Sequence, residues 1–467
     1  MSVRIGSGQG FYGDGIDPVS AVLATGVDYL VCEALAELTL AILQKDRQRD
    51  ESLGYTRDLP AYLKAVMPDL VSGRTRFITN AGGINPLGAG RLALDVARSE
   101  GARGLKVATV IGDDVRPLGA QLDLDSRDHV LFANAYLGAA PIARALDQGA
   151  DVVITGRVAD ASLYLAPLLH EFGWDMSDWD LLAAGVTIGH LLECSGQVTG
   201  GNYSGRWWEK IDPATVGFPI AEVSSDGTAV ITKPPGTSGA VSFDTVREQL
   251  LYEVHDPARY LNPDVVADFT AVDLEDLGQD RVRVSGARGA PAPETYKALV
   301  CTPAGWAGES RFCYAWPDAE AKVRAAIEFV RRRTEADGLV VEEWCEEYFG
   351  VDGYGGSTVG RPRAGSTVGR PRAGLTVGRS WAGSTPGPGG TGEPPEVIGR
   401  LAWRCADVAS AGAVGRGLGI LGLSGPPGIS GLGRARGSKP TQLMALQSLA
   451  VDKGLVDAQV GVFIEEA

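Results

Sequence analysis

Short apolar runs alternate with amphipathic stretches along the first 165 residues of the chain. Val3-Arg-Ile-Gly-Ser-Gly, Val27-Asp-Tyr-Leu-Val-Cys-Glu, Arg76-Phe-Ile-Thr-Asn, Leu105-Lys-Val-Ala-Thr-Val-Ile-Gly and Ala150-Asp-Val-Val-Ile-Thr-Gly read as strands. Residues 34–47 carry apolar side chains at three- and four-residue spacing, and they and residues 18–25, 87–100 and 140–148 read as helices. Strands that are apolar without interruption are buried on both faces. Alternation with helices therefore predicts an α/β fold with a mainly parallel sheet between helices, doubly wound and Rossmann-like.

The pattern changes further on. Residues 161–192 read as helical, and 221–231 form a hairpin around Asp226-Gly227, a dipeptide that suits positive φ. With strand-like stretches at 265–285 and 298–302 and a helix over 318–336, residues 201–350 read as a second, mixed α+β region. Residues 357–392 repeat Ser-Thr-Val-Gly-Arg-Pro-Arg-Ala-Gly with a period of nine, with five arginines, no acidic residue and little to bury. Such a composition predicts disorder. The expected organisation is 1–200, an α/β domain with most site loops; 201–350, mixed; 351–396, a linker; and 397–467, a segment packing back on the core.

Composition narrows the classes of function. A chain of 467 residues with a hydrophobic fraction of 44% buries a sizeable core without staples. A net charge of −15 argues against nucleic acid or an anionic membrane as partner, since both need a basic face. The six cysteines, Cys32, Cys194, Cys301, Cys313, Cys345 and Cys405, lie far apart with no Cys-x-x-Cys pair. They read as reduced thiols and not as a disulfide framework or zinc site. The start Met1-Ser-Val-Arg-Ile-Gly enters a strand directly, and no apolar run approaches ~20 residues, so a cytoplasmic protein is expected.

Candidate chemistry gathers where strands end, as ligands of open α/β sheets do. Gly6-Ser-Gly-Gln-Gly allows close backbone approach to a phosphate and makes Gly8 a substrate-binding candidate, although it matches neither Walker A nor Gly-x-Gly-x-x-Gly. Glu33, after the second strand, is not assigned a ribose-binding role, because a glutamate entering a helix is common. In Thr79-Asn-Ala-Gly-Gly-Ile-Asn-Pro, Asn80 ends a strand, and Gly82 and Gly83 suit an anion or thioester-carbonyl hole. The same segment also suits a plain strand-to-helix turn with Asn85 as cap and Pro86 in the first turn. Asp113 and Asp114 are adjacent carboxylates at a strand end, which can hold a magnesium ion or divide acid and base roles and equally suit a bare turn; Asp113 is counted with the catalytic and Asp114 with the substrate-binding candidates.

The fourth segment is richest. Arg157 suits a phosphate or carboxylate clamp, while Asp160 and Ser162 suit either the site or the cap of the next helix. His190 and Glu193 are three apart, and Cys194 is four from His190, so all three share a helical face. This arrangement offers a general base or an activated thiolate, and a buried helix would equally make Cys194 plain core. Gln197, Gly200 and Gly201 close the segment and are counted with the substrate-binding positions.

Five stretches, residues 13–18, 28–37, 80–86, 155–162 and 189–201, resemble in order and spacing the acyclic terpene utilisation (AtuA-like) family. The resemblance runs over residues 3–350 and resumes over 397–460, while the repeat and the Gly-rich stretch of 412–437 depart from it. It implies action on an acyl-coenzyme A, since members occur with pathways that degrade acyclic terpenes and branched acids as coenzyme A thioesters. Other relatives occur in natural-product pathways that convert an acyl-coenzyme A to a thiocarboxylic acid by sulfur transfer. The expectation is a hydratase-like or acyl-transfer enzyme; the alternatives are sulfur transfer through Cys194, or a non-catalytic subunit of an acyl-coenzyme A-processing complex. Gly82 and Gly83 would then polarise the thioester carbonyl, Arg157 hold an anionic group, and His190 with Asp160 or Glu193 move protons. No metal is expected, coenzyme A enters only as part of the substrate, and a homodimer is the expected assembly.

Overall fold

The computed structural model describes residues 2–124, 129–351, 394–431 and 439–467. The nine-residue repeat lies outside the described residues. Two compact units divide the chain: Met1–Thr302 with Leu446–Ala467, and Pro303–Ala445. The sequence boundary near residue 200 is not where they part, because the strands that follow it join the first unit's sheet.

That sheet has ten strands. At its centre β1 (Ser2–Gln9), β2 (Tyr29–Cys32), β3 (Arg76–Thr79), β6 (Val152–Thr155) and β4 (Lys106–Ile111) lie side by side in that order, all parallel. Alternate residues divide between two cores. Leu30, Phe77, Val107 and Val152 pack on one face under α1 (Asp17–Ala24), α3 (Leu59–Val71) and α4 (Pro86–Ser99), with α2 (Glu37–Arg49) leading from β2 to α3. Val31, Ile78, Ala108 and Val153 pack on the other, with α5 (Ala140–Asp147), α6 (Ser162–Phe172) and α7 (Trp179–Leu192). Helices thus cover both faces, as expected.

The sheet as a whole is mixed, which corrects the expectation of a mainly parallel one. β7 (Ile220–Ser224) runs antiparallel to β1, β8 (Ala229–Thr232) folds back on it, and Val282–Ser285 and Asp273–Asp276 continue outwards. Gly461–Glu466 closes the other edge antiparallel to β4. A tight hairpin can only pair its strands antiparallel, and the expected hairpin has Gly227 at φ +82°. The stretch read as helical over 161–192 holds two helices, α6 and α7, the first ending at Gly173 in the left-handed region. Helix α3 and β5 (Phe132–Ala135), which pairs with Ala298–Cys301, went unread in the sequence.

The second unit is a sheet in which Glu343–Phe349, Glu396–Cys405 and Trp306–Ala315 are neighbours, with the helix Ala319–Ala336 packed on it. Among the described residues no helix is long and apolar enough to cross a membrane.

Candidate active site

The carboxyl ends of β1, β2 and β6 and the end of α7 surround an open cavity of about 1020 Å³. Gly10 follows β1, Glu33 follows β2, Arg157 and Asp160 follow β6, and Glu193 and Cys194 follow α7. This is the end of the sheet at which parallel strands deliver their loops.

Arg157 organises the floor. Its side chain is 2% exposed, and Nη1 donates to Asp160 Oδ1 at 2.6 Å and to the Leu35 carbonyl at 2.5 Å. Glu33 Oε1 lies 3.8 Å from the same nitrogen. The Tyr136 ring stacks beneath the guanidinium at 4.0 Å. Arg157 is therefore already paired with carboxylates of its own chain; only Nε, buried, has no partner. The clamp expected for a ligand anion is an internal ion pair.

Glu33 is held by neighbours rather than capping a helix. Its Oε1 accepts from the Leu35 amide at 2.6 Å and from Asn80 Nδ2 at 2.9 Å. Burial, with the Asp160 carboxylate nearby, pushes it up to about 8 against the opposing pull of Arg157 and these hydrogen bonds. Glu193 is pushed up to about 7 by burial, with His190 opposing. Its Oε1 meets His190 Nδ1 at 2.9 Å, and its buried Oε2 has no partner. Two carboxyls of one cavity thus change protonation near neutrality, a property that marks acid–base sites. A third, Glu37, behaves oppositely. Burial raises it, but hydrogen bonds from Tyr136 at 2.8 Å and Lys297 at 3.1 Å hold it down at about 2.

The structure brings together Arg157, Asp160, Glu193, Cys194, Gln197 and Gly201 on the cavity wall. His190 is not on this wall; it is 2% exposed, stacked on Phe269 at 5.4 Å and in contact with Glu193, which is on it. Cys194 follows α7, half-buried, and burial with the adjacent Glu193 pushes its thiol well up; the lowered value an activated thiolate needs is absent.

Other positions lie off the wall. Gly8 is inside β1, where a Cβ would meet Cys32 Sγ at 2.7 Å, so its smallness serves packing, and Gly10 lines the cavity instead. Gly82 and Gly83 form the tight turn: the Gly83 amide donates to Asn80, and Asn85 caps α4 by accepting from the Gly88 amide at 3.1 Å. Their expected carbonyl hole is this turn. Asn80 acts through Glu33. Asp113 is buried behind the wall, accepting from Asn134 Nδ2 at 2.7 Å and the Arg157 amide at 2.8 Å, and burial raises it to about 6. Asp114 turns outwards to Arg116 at 2.6 Å. Ser162 neither caps α6 nor reaches the cavity; its hydroxyl donates to buried Asp264 at 2.6 Å. Gly200 (φ +111°) serves the turn before Gly201.

Sequence reasoning missed Tyr136, Lys297 and Glu37, which line the cavity, and set Glu33 aside. Asp14 and Ser195 were inside motifs already singled out; Ser195 Oγ donates to Asp14 Oδ2 at 2.8 Å, joining the loops after β1 and α7. Among the described residues no group of three or more His, Cys, Asp or Glu is arranged to hold a metal ion.

No curated protein and no solved structure was found to match the chain. The family model described as acyclic terpene utilisation family protein AtuA matches residues 3–462, taking in every loop of this cavity. The chain belongs to the acyclic terpene utilisation family, AtuA.

Proposed function

We propose that the protein is an enzyme of acyl thioesters, hydratase-like, in which Glu193 and Glu33 move protons at the carbons next to the thioester carbonyl. The observation that carries this reading is the pair of buried carboxyls on one cavity wall, at about 8 for Glu33 and about 7 for Glu193. Near neutrality Glu33 mostly holds its proton, whereas Glu193 gives its own up at lower pH and is about half in the base form, which suits an acid and a base respectively. In the hydration direction Glu193 takes a proton from water as its oxygen bonds to the β carbon. Glu33 gives its proton to the α carbon, so one water is added and no other reactant is needed. His190, against Glu193 Oε1, positions that carboxylate, and Arg157 keeps Asp160 and Glu33 in place.

The reading takes the parallel core as a doubly wound, Rossmann-like unit with its ligand at the strand ends. The cavity holds more carboxylates than cations, and its Arg157 and Lys297 are already paired. The acyl and thioester end is the part that enters, and the coenzyme A phosphates stay outside. Sulfur transfer is less well supported, because the Cys194 thiol is pushed up by burial. Mass spectrometry of the protein with a panel of saturated and α,β-unsaturated acyl-coenzyme A compounds, with and without sulfide, tests the reading. Gain of water on unsaturated members supports it, and thiocarboxylic acid or no change counts against it.

A further inference from the structure

A second, smaller groove of about 420 Å³ adjoins the cavity. The two share a wall made of Tyr136, Asp160 and Lys297. Two members of that wall are tethered: the Tyr136 hydroxyl and Lys297 Nζ both donate to Glu37 Oε1, at 2.8 and 3.1 Å. Two cations lie over the Tyr136 ring, Arg157 at 4.0 Å and Lys297 at 4.7 Å from its centre. Asp160, with its side chain 34% exposed, faces both spaces.

The groove differs in chemistry from the cavity. Leu261, Pro263, Pro293, Tyr296 and Leu449 line it, and apart from the shared Asp160 and Lys297 it has no charged side chain. Two of its polar members are turned to internal partners: the Tyr296 hydroxyl donates to Asp457 at 2.8 Å, and Asn262 is bonded to Ser162 and the Asp264 amide. Leu261 stands 61% exposed over it. An apolar recess that continues a polar, acid-lined cavity suits an amphipathic ligand with its apolar part in the recess.

We infer that this groove is the acyl-chain subsite of the same centre, and that the substrate is a thioester of an extended apolar acyl chain. The polar arm lies in the large cavity, the chain in the groove, and the reacting carbons pass Asp160 where the two meet. The inference rests on the acyl-thioester reading for the ligand's identity, but the groove's affinity for an alkyl chain stands on its own lining.

Calorimetry with acetyl-, hexanoyl- and decanoyl-pantetheine tests it on the wild type, Leu261→Glu and Thr295→Trp. Leu261 and Thr295 both line the groove and are exposed, so the substitutions spare the fold, which circular dichroism verifies. From hexanoyl to decanoyl, wild-type affinity should rise by roughly threefold to fourfold per buried methylene. The rise should vanish in both variants, with the acetyl compound unaffected. Binding independent of chain length, or a rise that survives both substitutions, overturns the subsite and leaves the thioester reading standing. If no pantetheine thioester binds, decanol decides. Decanol held by the wild type and lost in Leu261→Glu keeps the apolar subsite while the thioester reading falls. Decanol not held, or held equally by both, overturns the subsite as well.

Discussion

The guanidinium of Arg157 lies 4.0 Å from the centre of the Tyr136 ring, on the wall that divides the main cavity from its apolar neighbour. A buried cation packed on an aromatic face and held by the Asp160 carboxylate and the Leu35 carbonyl is a fixed part of the framework, because removing it leaves buried polar groups without their partner.

Arg157→Ala is therefore expected to destabilise the fold by about 3–5 kcal/mol, the usual effect of breaking a buried pair. Arg157→Lys should restore only part of this, since an ammonium cannot reproduce the planar fork toward Asp160 and the Leu35 carbonyl. Urea unfolding of both variants measures it. A loss below about 1 kcal/mol for the alanine variant would place Arg157 among ordinary surface pairs.

The two carboxyls set a pH window for activity. The base form of Glu193 accumulates as pH rises through about 7, and the acid form of Glu33 is lost as pH rises through about 8. The rate with an unsaturated acyl thioester should therefore follow a bell between these limbs. Glu193→Gln should remove the lower limb and slow the reaction by roughly 10²–10⁴-fold. A rate flat from mildly acid pH upwards contradicts these assignments.

Glu33 also links stability to pH. Its carboxyl is raised from 4.5 to about 8, so the folded chain holds this proton more tightly than the unfolded one. The stability this lends is complete below 4.5 and is lost as pH rises toward about 8. Glu33→Gln keeps an acceptor oxygen for the Leu35 and Asn80 donors and has no proton to lose. Its melting temperature should thus gain on the wild type across that interval, and a constant gap between the two would contradict the burial of an ionisable carboxyl.

Cys194, its thiol pushed up by burial and by Glu193, should resist alkylation at mildly acid pH, whereas exposed Cys345 reacts first. Cys194→Ala should retain turnover. Loss of turnover together with rapid labelling of Cys194 would restore the sulfur-transfer reading.

Much of this arrangement was legible in the sequence. The central parallel strands and most helices around them came from apolar runs and helical spacing, and the loops carrying Arg157, Asp160 and Glu193 from the positions where those runs end. Periodicity did not reveal which polar residues are buried. Arg157 looked free for a ligand because its partner Asp160 also fits a helix cap, and Glu33 was discounted for the same local reason. Tyr136 directly follows β5 and Lys297 lies on the strand paired with it, 161 residues apart in the chain, and no local pattern joins them. Gly82 and Gly83 look the same in sequence whether their amides serve a ligand or a turn. The antiparallel strands that complete the sheet return from residues 220–285 and 461–466, beyond the reach of the alternation that revealed its centre.

The central claim, proton transfer by Glu33 and Glu193 on an acyl thioester, meets its most direct test in water labelled with heavy oxygen. The protein is incubated with an α,β-unsaturated decenoyl-coenzyme A, and the thioester is analysed by mass spectrometry beside the Glu33→Gln and Glu193→Gln variants. The account predicts one labelled hydroxyl on the acyl chain with the thioester intact, formed by the wild type and all but abolished in both variants. An intact, unlabelled substrate, a released coenzyme A, or hydration that persists in both variants would contradict it.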